Sequence, residues 1–324
     1  MRTRIFQIHK RSSETFEEIQ DKYSIDLDNK IYSLSDGATQ GYKSEIWAEI
    51  LTKTFIENPT FNGKDFLRNI TDAAANFSKI EFEYSDNFAI KALQKRKEEQ
   101  GSFATFLGIQ LKGNVVNLIS SGDVCLFVLK DYKISYSYPF TTIHELNSDK
   151  GFLGTKKLLA NEVLENTFYS SQFTLENNNS ILLATDAIAR YILTSQNIDV
   201  LKSSDFNEFK NYVTNLLENK VLEDDDITLI EITDLFNNKN EIKEIIPQKD
   251  CSSANNSLET LEMNSPTQDN KEIERQLEIV KSILAEFEHK IKNLNHKIKL
   301  LRISFFSILA IVILYTFFSI LRLI

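Results

Sequence analysis

The stretch SFATFLGIQLKGNVVNLISSGDVCLFVLKDYKISYSYP, residues 102–139, settles the fold class. It holds four apolar runs rich in β-branched and aromatic residues, SFATFLGIQLK, VVNLISSG, VCLFVLK and KISYSYP. Between them stand only the turn-like joints LKGNV, SSGDV and the polar pair Asp131-Tyr132, so no connection has room for a helix. Strands joined this tightly pair as neighbours, which predicts an antiparallel meander rather than parallel crossovers. Towards the N-terminus the pattern predicts strands near 3–9, 22–27 and 31–35, then helices over 44–58, 64–80 and 86–98. Towards the C-terminus come strands at FYSSQFTL (168–175) and ILLATD (181–186), helices over 187–194 and 205–218, and the closing strand ITLIEI (227–232). The expected class is α+β, with antiparallel sheets inside and helices outside.

Composition bounds the function. The chain of 324 residues carries 46 acidic against 37 basic side chains, a net charge of -9, which excludes broad nucleic-acid binding. Its two cysteines, Cys125 and Cys251, are far apart; they exclude a disulfide framework and a cysteine zinc site, and fit a reducing compartment. Cys125 stands mid-strand between Val124 and Leu126 and reads as a buried structural thiol. His9, His144, His289 and His296 form no ligand-like pair in an apolar segment, so any metal here is held by oxygen.

Four regions follow one another: a globular head over 1–235, a polar linker over 236–270, a coiled coil over 271–302 and a membrane anchor over 303–324. The coiled coil is read from Ile273, Leu277, Val280, Leu284, Phe287, Ile291, Leu294, Ile298 and Leu301, whose spacing alternates four and three without a slip. One helix folded back on the head satisfies the same pattern, but unbroken spacing up to the anchor favours a parallel homodimer. The run ISFFSILAIVILYTFFSIL, 303–321, has no charge and as a helix spans ~28 Å, close to the hydrocarbon thickness of a bilayer. Lys290, Lys292, Lys297, Lys299 and Arg302 precede it and only Arg322 follows, which predicts a single-pass C-terminal anchor with the head in the cytoplasm.

Five places in the head share one pattern, a carboxylate at the mouth of an apolar strand. Asp36 ends IYSLS and is followed by Gly37; Asp123 lies between two strands; Asp186 stands where a strand meets a helix; Asp225 precedes the last strand; Asp21 precedes an early one. Singly, each is a turn or cap residue. Converging, they would repel one another unless cations stood among them, and hard divalent ions take oxygen ligands.

In order and context these segments, QDKY (20–23), SDGATQG (35–41), GSFATFLG (101–108), SSGDVCLFVL (120–129), LLATDAIARYI (182–192) and DDDITLI (224–230), resemble the metal-dependent (PPM, type 2C) serine/threonine protein phosphatases. The resemblance covers residues 1 to 235, and SDGATQGYKSEIWAEI, with Trp47, looks most like the bacterial branch. It implies a four-layer α-β-β-α sandwich of two antiparallel sheets. It implies two Mn2+ or Mg2+ ions, with a third in some members, that activate a water for in-line attack on a phosphomonoester. Asp36, the carbonyl of Gly37, Asp186 and Asp225 match the family's metal ligands, and Asp123 matches a position of the third ion. Asp21 matches the aspartate that orients the attacking water, so Asp21 and Asp36 are the catalytic candidates. The substrate it implies is a phosphoserine or phosphothreonine protein.

Three departures stand out. Gln20 replaces the first acid of the early acidic pair, Phe16 replaces the phosphate-binding arginine, and Ala187 follows Asp186 where glycine is usual. Lys10 or Arg11 is then the expected phosphate-binding residue. The same departures leave a second reading open, a pseudophosphatase or phosphoprotein-binding signalling module dimerised through the coiled coil.

Overall fold

The computed structural model describes residues 1–13, 15–146, 151–237 and 239–247. The coiled coil expected over 271–302 and the membrane anchor expected over 303–324 lie outside the described residues. Among the described residues no helix is long and apolar enough to cross a membrane.

In chain order the elements are β1 (Arg2–Ile8), β2 (Lys22–Asp26), β3 (Ile31–Ser35), α1 (Ser44–Glu57), α2 (Gly63–Phe77), α3 (Phe88–Gln100), β4 (Phe103–Ala104), β5 (Phe106–Lys112), β6 (Val115–Ser121), β7 (Cys125–Lys130) and β8 (Lys133–Tyr138). There follow α4 (Ile143–Leu146), β9 (Leu153–Gly154), α5 (Thr155–Leu159), β10 (Tyr169–Thr174), β11 (Asn179–Ala184), α6 (Asp186–Ser195), α7 (Phe206–Glu218), β12 (Ile227–Thr233) and β13 (Glu241–Ile245). One sheet has the order β13-β1-β12-β11-β7-β8 and the other β10-β6-β5-β3-β2. Every pairing within the two is antiparallel except β13 beside β1, which is parallel.

The two-residue period of the strands builds three separate apolar layers. Alternate residues of the six-stranded sheet, Phe6, Phe127, Leu182 and Leu229, pack with Ile188, Ile192, Phe209 and Val213 of α6 and α7. Their neighbours Ile5, Leu126, Leu183 and Ile230 face the other way and meet Tyr32, Leu34, Leu107 and Leu118 of the five-stranded sheet. That sheet's outer residues, Ile31, Phe106 and Ile119, are covered by Trp47, Leu51, Phe55, Phe66 and Ile70 of α1 and α2. Helices, sheet, sheet and helices thus stack in that order.

At the α1 contact Gly108 leaves room for a ring: a Cβ there would stand 2.6 Å from Phe55. Phe55 is fully buried and meets Phe61, Phe66 and Phe106 edge-on. Phe55→Ala opens a cavity that the rigid sheet beneath cannot close. It is expected to cost about 3–5 kcal/mol, read as a lowered midpoint in thermal or denaturant unfolding of the head.

Two expectations need correction. The joint SSGDV does not make a hairpin, because β6 and β7 belong to different sheets and β6 pairs with β5 and β10 instead. Gly122, at φ +86°, sits so close to Thr105 that a Cβ would lie 2.5 Å from its methyl carbon, and the chain leaves the first sheet there for the second. Inner-face burial favours this crossing, since a continued meander would have left one sheet's apolar side in water. Residues 241–245, expected within the polar linker over 236–270, form a strand instead, and residues 248–270 lie outside the described residues. Glu241–Ile245 forms β13, pairing in register from Arg2↔Glu241 to Phe6↔Ile245, and Ile245 is buried. Four exposed residues in EIKEI hide the strand from a pattern reading, although an edge strand needs only one apolar contact and a ladder.

Candidate metal centre

Strand ends at the junction of the two sheets supply the acidic residues. β3 runs directly into Asp36, and the turn is held by Thr105, whose amide donates to the Asp36 carbonyl at 2.8 Å. Gly37 forms a lone bridge to Ala104. A Cβ at Gly37 would stand 2.7 Å from the Ser44 carbonyl oxygen and 3.1 Å from that of Gln20, so only glycine fits where three backbones meet. β6 crosses to β7 through Asp123. β11 ends at Thr185, and Asp186 opens α6, where the helix N-terminus favours a carboxylate. Asp225 lies just before β12, and Asp21 just before β2.

Electrostatics tie these positions together. Burial, then Asp21, Asp186, Asp123 and Asp225, push the Asp36 carboxyl well above the usual carboxylate range. Asp186 is pushed up to about 7, chiefly by burial and then by Asp123 and Asp225. Burial also raises Asp123, with Asp225 adding to it while Arg190 opposes. Asp21 is fully buried and held well above its ordinary value by burial and by Asp226, against hydrogen bonds from Thr228 and Thr185. The Thr185 hydroxyl donates to Asp21 Oδ2 at 2.9 Å. Asp36 lies within Coulombic reach of the other four aspartates. Among the described residues, however, no three Asp, Glu, His or Cys side chains close on a single point as a finished ligand set.

The residues present fit a hard divalent cation. Asp21 Oδ1 and Asp123 Oδ1 are buried with no hydrogen-bond partner among the described residues, which is costly unless a cation satisfies them. The donors are all oxygens. Asp36, Gly37, Asp186, Asp225 and Asp123 would hold such ions, with Asp21 behind them.

Of the two cationic candidates, only Lys10 reaches the aspartates. Its Nζ lies 3.4 Å from Asp225 Oδ1 and donates to Gln20 Oε1 at 2.8 Å and Thr39 Oγ1 at 2.9 Å. Arg11 is exposed, and its one hydrogen bond among the described residues is from its amide to Asp224 Oδ1. Gln20, where the early acidic pair departs, therefore serves as an acceptor for Lys10 and Thr39. Phe16 lies near His9, ring centroids 6.4 Å apart. Cys125 is fully buried, with its thiol pushed up by burial and by the charges of Asp123 and Asp186, so it stays a thiol.

Several supporting residues had no clear sequence signal. Asp226 is buried and accepts from the Lys10 amide at 2.8 Å and the Gln20 amide at 2.7 Å, stapling the two loops that carry Lys10 and Asp21. It is one of three consecutive aspartates, and nothing local tells the staple from the ligand. Thr228, Thr185 and Gln7 form a buried web behind Asp21. Arg190 pairs with Asp186 at 3.6 Å, four residues apart on one helix face. A cavity of about 700 Å³ lined by Ser120, Gly122, Phe140, Lys157 and Tyr169 has none of the five aspartates in its wall.

No family profile and no curated protein matches the chain. Among solved structures it is similar to the catalytic domain of the serine threonine protein phosphatase PstP in complex with two manganese ions, at 12% identity over 71% of this chain and 96% of that one, TM-score 0.47. It is also similar to the photosystem II phosphatase PBCP, at 14% identity over 71% and 98%, TM-score 0.47. A third is PppA, a regulatory component of the type VI secretion system of Pseudomonas aeruginosa, at 13% identity over 71% and 96%, TM-score 0.42.

Proposed function

We propose that the chain is a metal-dependent (PPM, type 2C) serine/threonine protein phosphatase that hydrolyses phosphomonoesters at the aspartate cluster. One observation carries this reading: the half-buried Asp36 carboxyl is forced upward by desolvation and by four further aspartates from four other strand ends. A fold tolerates such mutual repulsion where a bound cation relieves it. Divalent Mn2+ or Mg2+ ions held there would supply the charge that acidifies a water and neutralises a phosphoryl group.

The chain's own residues do the rest. Lys10 Nζ, held between Gln20, Thr39 and Asp225, would exchange one of these three contacts for a phosphoryl oxygen in the place of the absent arginine. Asp21, fixed through Oδ2 by Thr185, keeps Oδ1 free to accept a proton from a water at the site. No cysteine or histidine nucleophile takes part. Tail anchoring belongs to the same proposal: the uncharged run 303–321 and the basic residues before it would hold the head at the cytoplasmic face, and the heptads would pair two heads. The full-length protein is expected to hydrolyse an aryl phosphate and phosphoserine peptides only with Mn2+ or Mg2+ present. Undiminished turnover in excess EDTA would sink the reading.

Gln20 favours a second reading, a phosphoprotein-binding module without turnover, because it supplies no charge at the early acidic position. Calorimetric titration with Mn2+ separates the two: a dead scaffold has no need of two ions.

A further inference from the structure

The loop after β1 and the helix α7 enclose a cavity of about 330 Å³ whose wall includes Asp224 and Asp225. Its floor is apolar, made by Ile8, Phe206, Val213, Leu217 and Ile227. Two cationic side chains line it as well, Arg11 from the loop and Lys210 from α7, and both residues are exposed. Neither side chain makes an ion pair or hydrogen bond among the described residues, unlike Lys10, which contacts Asp225, Gln20 and Thr39. In a chain of net charge -9, two unpaired cations over an apolar floor are a local exception.

We propose that this cavity is a specificity subsite for an acidic side chain, a carboxylate or a second phosphate, standing close in sequence to the phosphoresidue of the substrate protein. The inference rests on the phosphatase reading, since it is Asp225 that joins the cavity to the reaction site. The volume suits one side chain rather than a whole ligand. The apolar floor takes the aliphatic stem of that side chain, and Arg11 and Lys210 meet its charged end. Asp225 in the same wall is paired with Lys10 at 3.4 Å, so Asp224 alone stands against Arg11 and Lys210 and one positive charge is left over; the Arg11 amide donates to Asp224 Oδ1 at 3.1 Å, which holds the loop at the cavity wall. Charge of this kind at a rim raises encounter rate and discrimination between partners, since an acidic segment is repelled over most of the remaining surface.

The test uses the full-length protein with Asp36→Asn, which removes turnover, and pairs of labelled phosphoserine peptides that differ only by Glu against Gln in the flanking positions. Binding is read by fluorescence anisotropy. The acidic peptide is expected to bind about tenfold tighter, and Arg11→Gln with Lys210→Gln should bring the ratio below about twofold. Lys210→Glu alone should narrow it as well. Equal binding of the two peptides, or a preference that survives the double substitution, overturns the subsite. Hydrolysis of an aryl phosphate by the unsubstituted protein with Mn2+ tests the reaction separately. Its absence alongside an intact preference overturns the reaction and supports the cavity as a phosphopeptide-binding site.

Discussion

Asp36→Asn is expected to lower turnover on an aryl phosphate by about 10³-fold or more, and at the same time to raise the melting temperature of the metal-free protein. The two effects have one cause. Desolvation of the half-buried Asp36 carboxyl, together with Asp21, Asp186, Asp123 and Asp225, holds it well above its ordinary range. Ionising it therefore costs the folded state more than the unfolded one. Asparagine keeps the shape and removes the charge, so the fold relaxes while a ligand for the cation is lost. A purely structural aspartate in a turn behaves the opposite way, losing stability on substitution with no effect on turnover. Steady-state kinetics and differential scanning calorimetry on the same two samples distinguish them. A variant that is less stable and still active would remove Asp36 from the site.

The second large effect is a pH dependence that reverses on adding metal. Asp186 titrates near 7 in the folded protein against an ordinary 3.8, and the shifts at Asp21, Asp36 and Asp123 have the same sign. A carboxyl raised on folding binds its proton more tightly in the folded state. Its contribution is favourable below the ordinary value and is lost as pH climbs towards the folded one. Without metal, stability should therefore fall between about pH 4 and pH 7, at about 1.4 kcal/mol per pH unit for a group titrating across that window. Mn2+ should raise the melting temperature more at pH 8, where Asp186 is charged, than at pH 5, where a proton occupies it. A shift of equal size at both values would mean that Mn2+ binds somewhere other than these aspartates.

Much of this was legible in the chain. Strand after strand with two-residue alternation, joined by connections too short for helices, announced the α+β class, because burial of one face is written into residue order. The positions of the aspartates were legible as well, since each stands where an apolar run starts or stops, though each alone reads as a turn or cap residue. The strand β13 was not, because EIKEI is held by the ladder to β1 and one buried isoleucine.

What residue order determined by itself was which segments are apolar on which side and where acids interrupt them, for both follow from neighbours a few positions apart. Only the tertiary structure decided that SSGDV crosses between sheets, that Asp226 staples loops while Asp225 faces Lys10, and that Lys10 rather than Arg11 reaches the cluster. Those choices depend on contacts between residues up to more than two hundred positions apart, and no local pattern encodes the packing of two sheets that brings them within hydrogen-bonding distance.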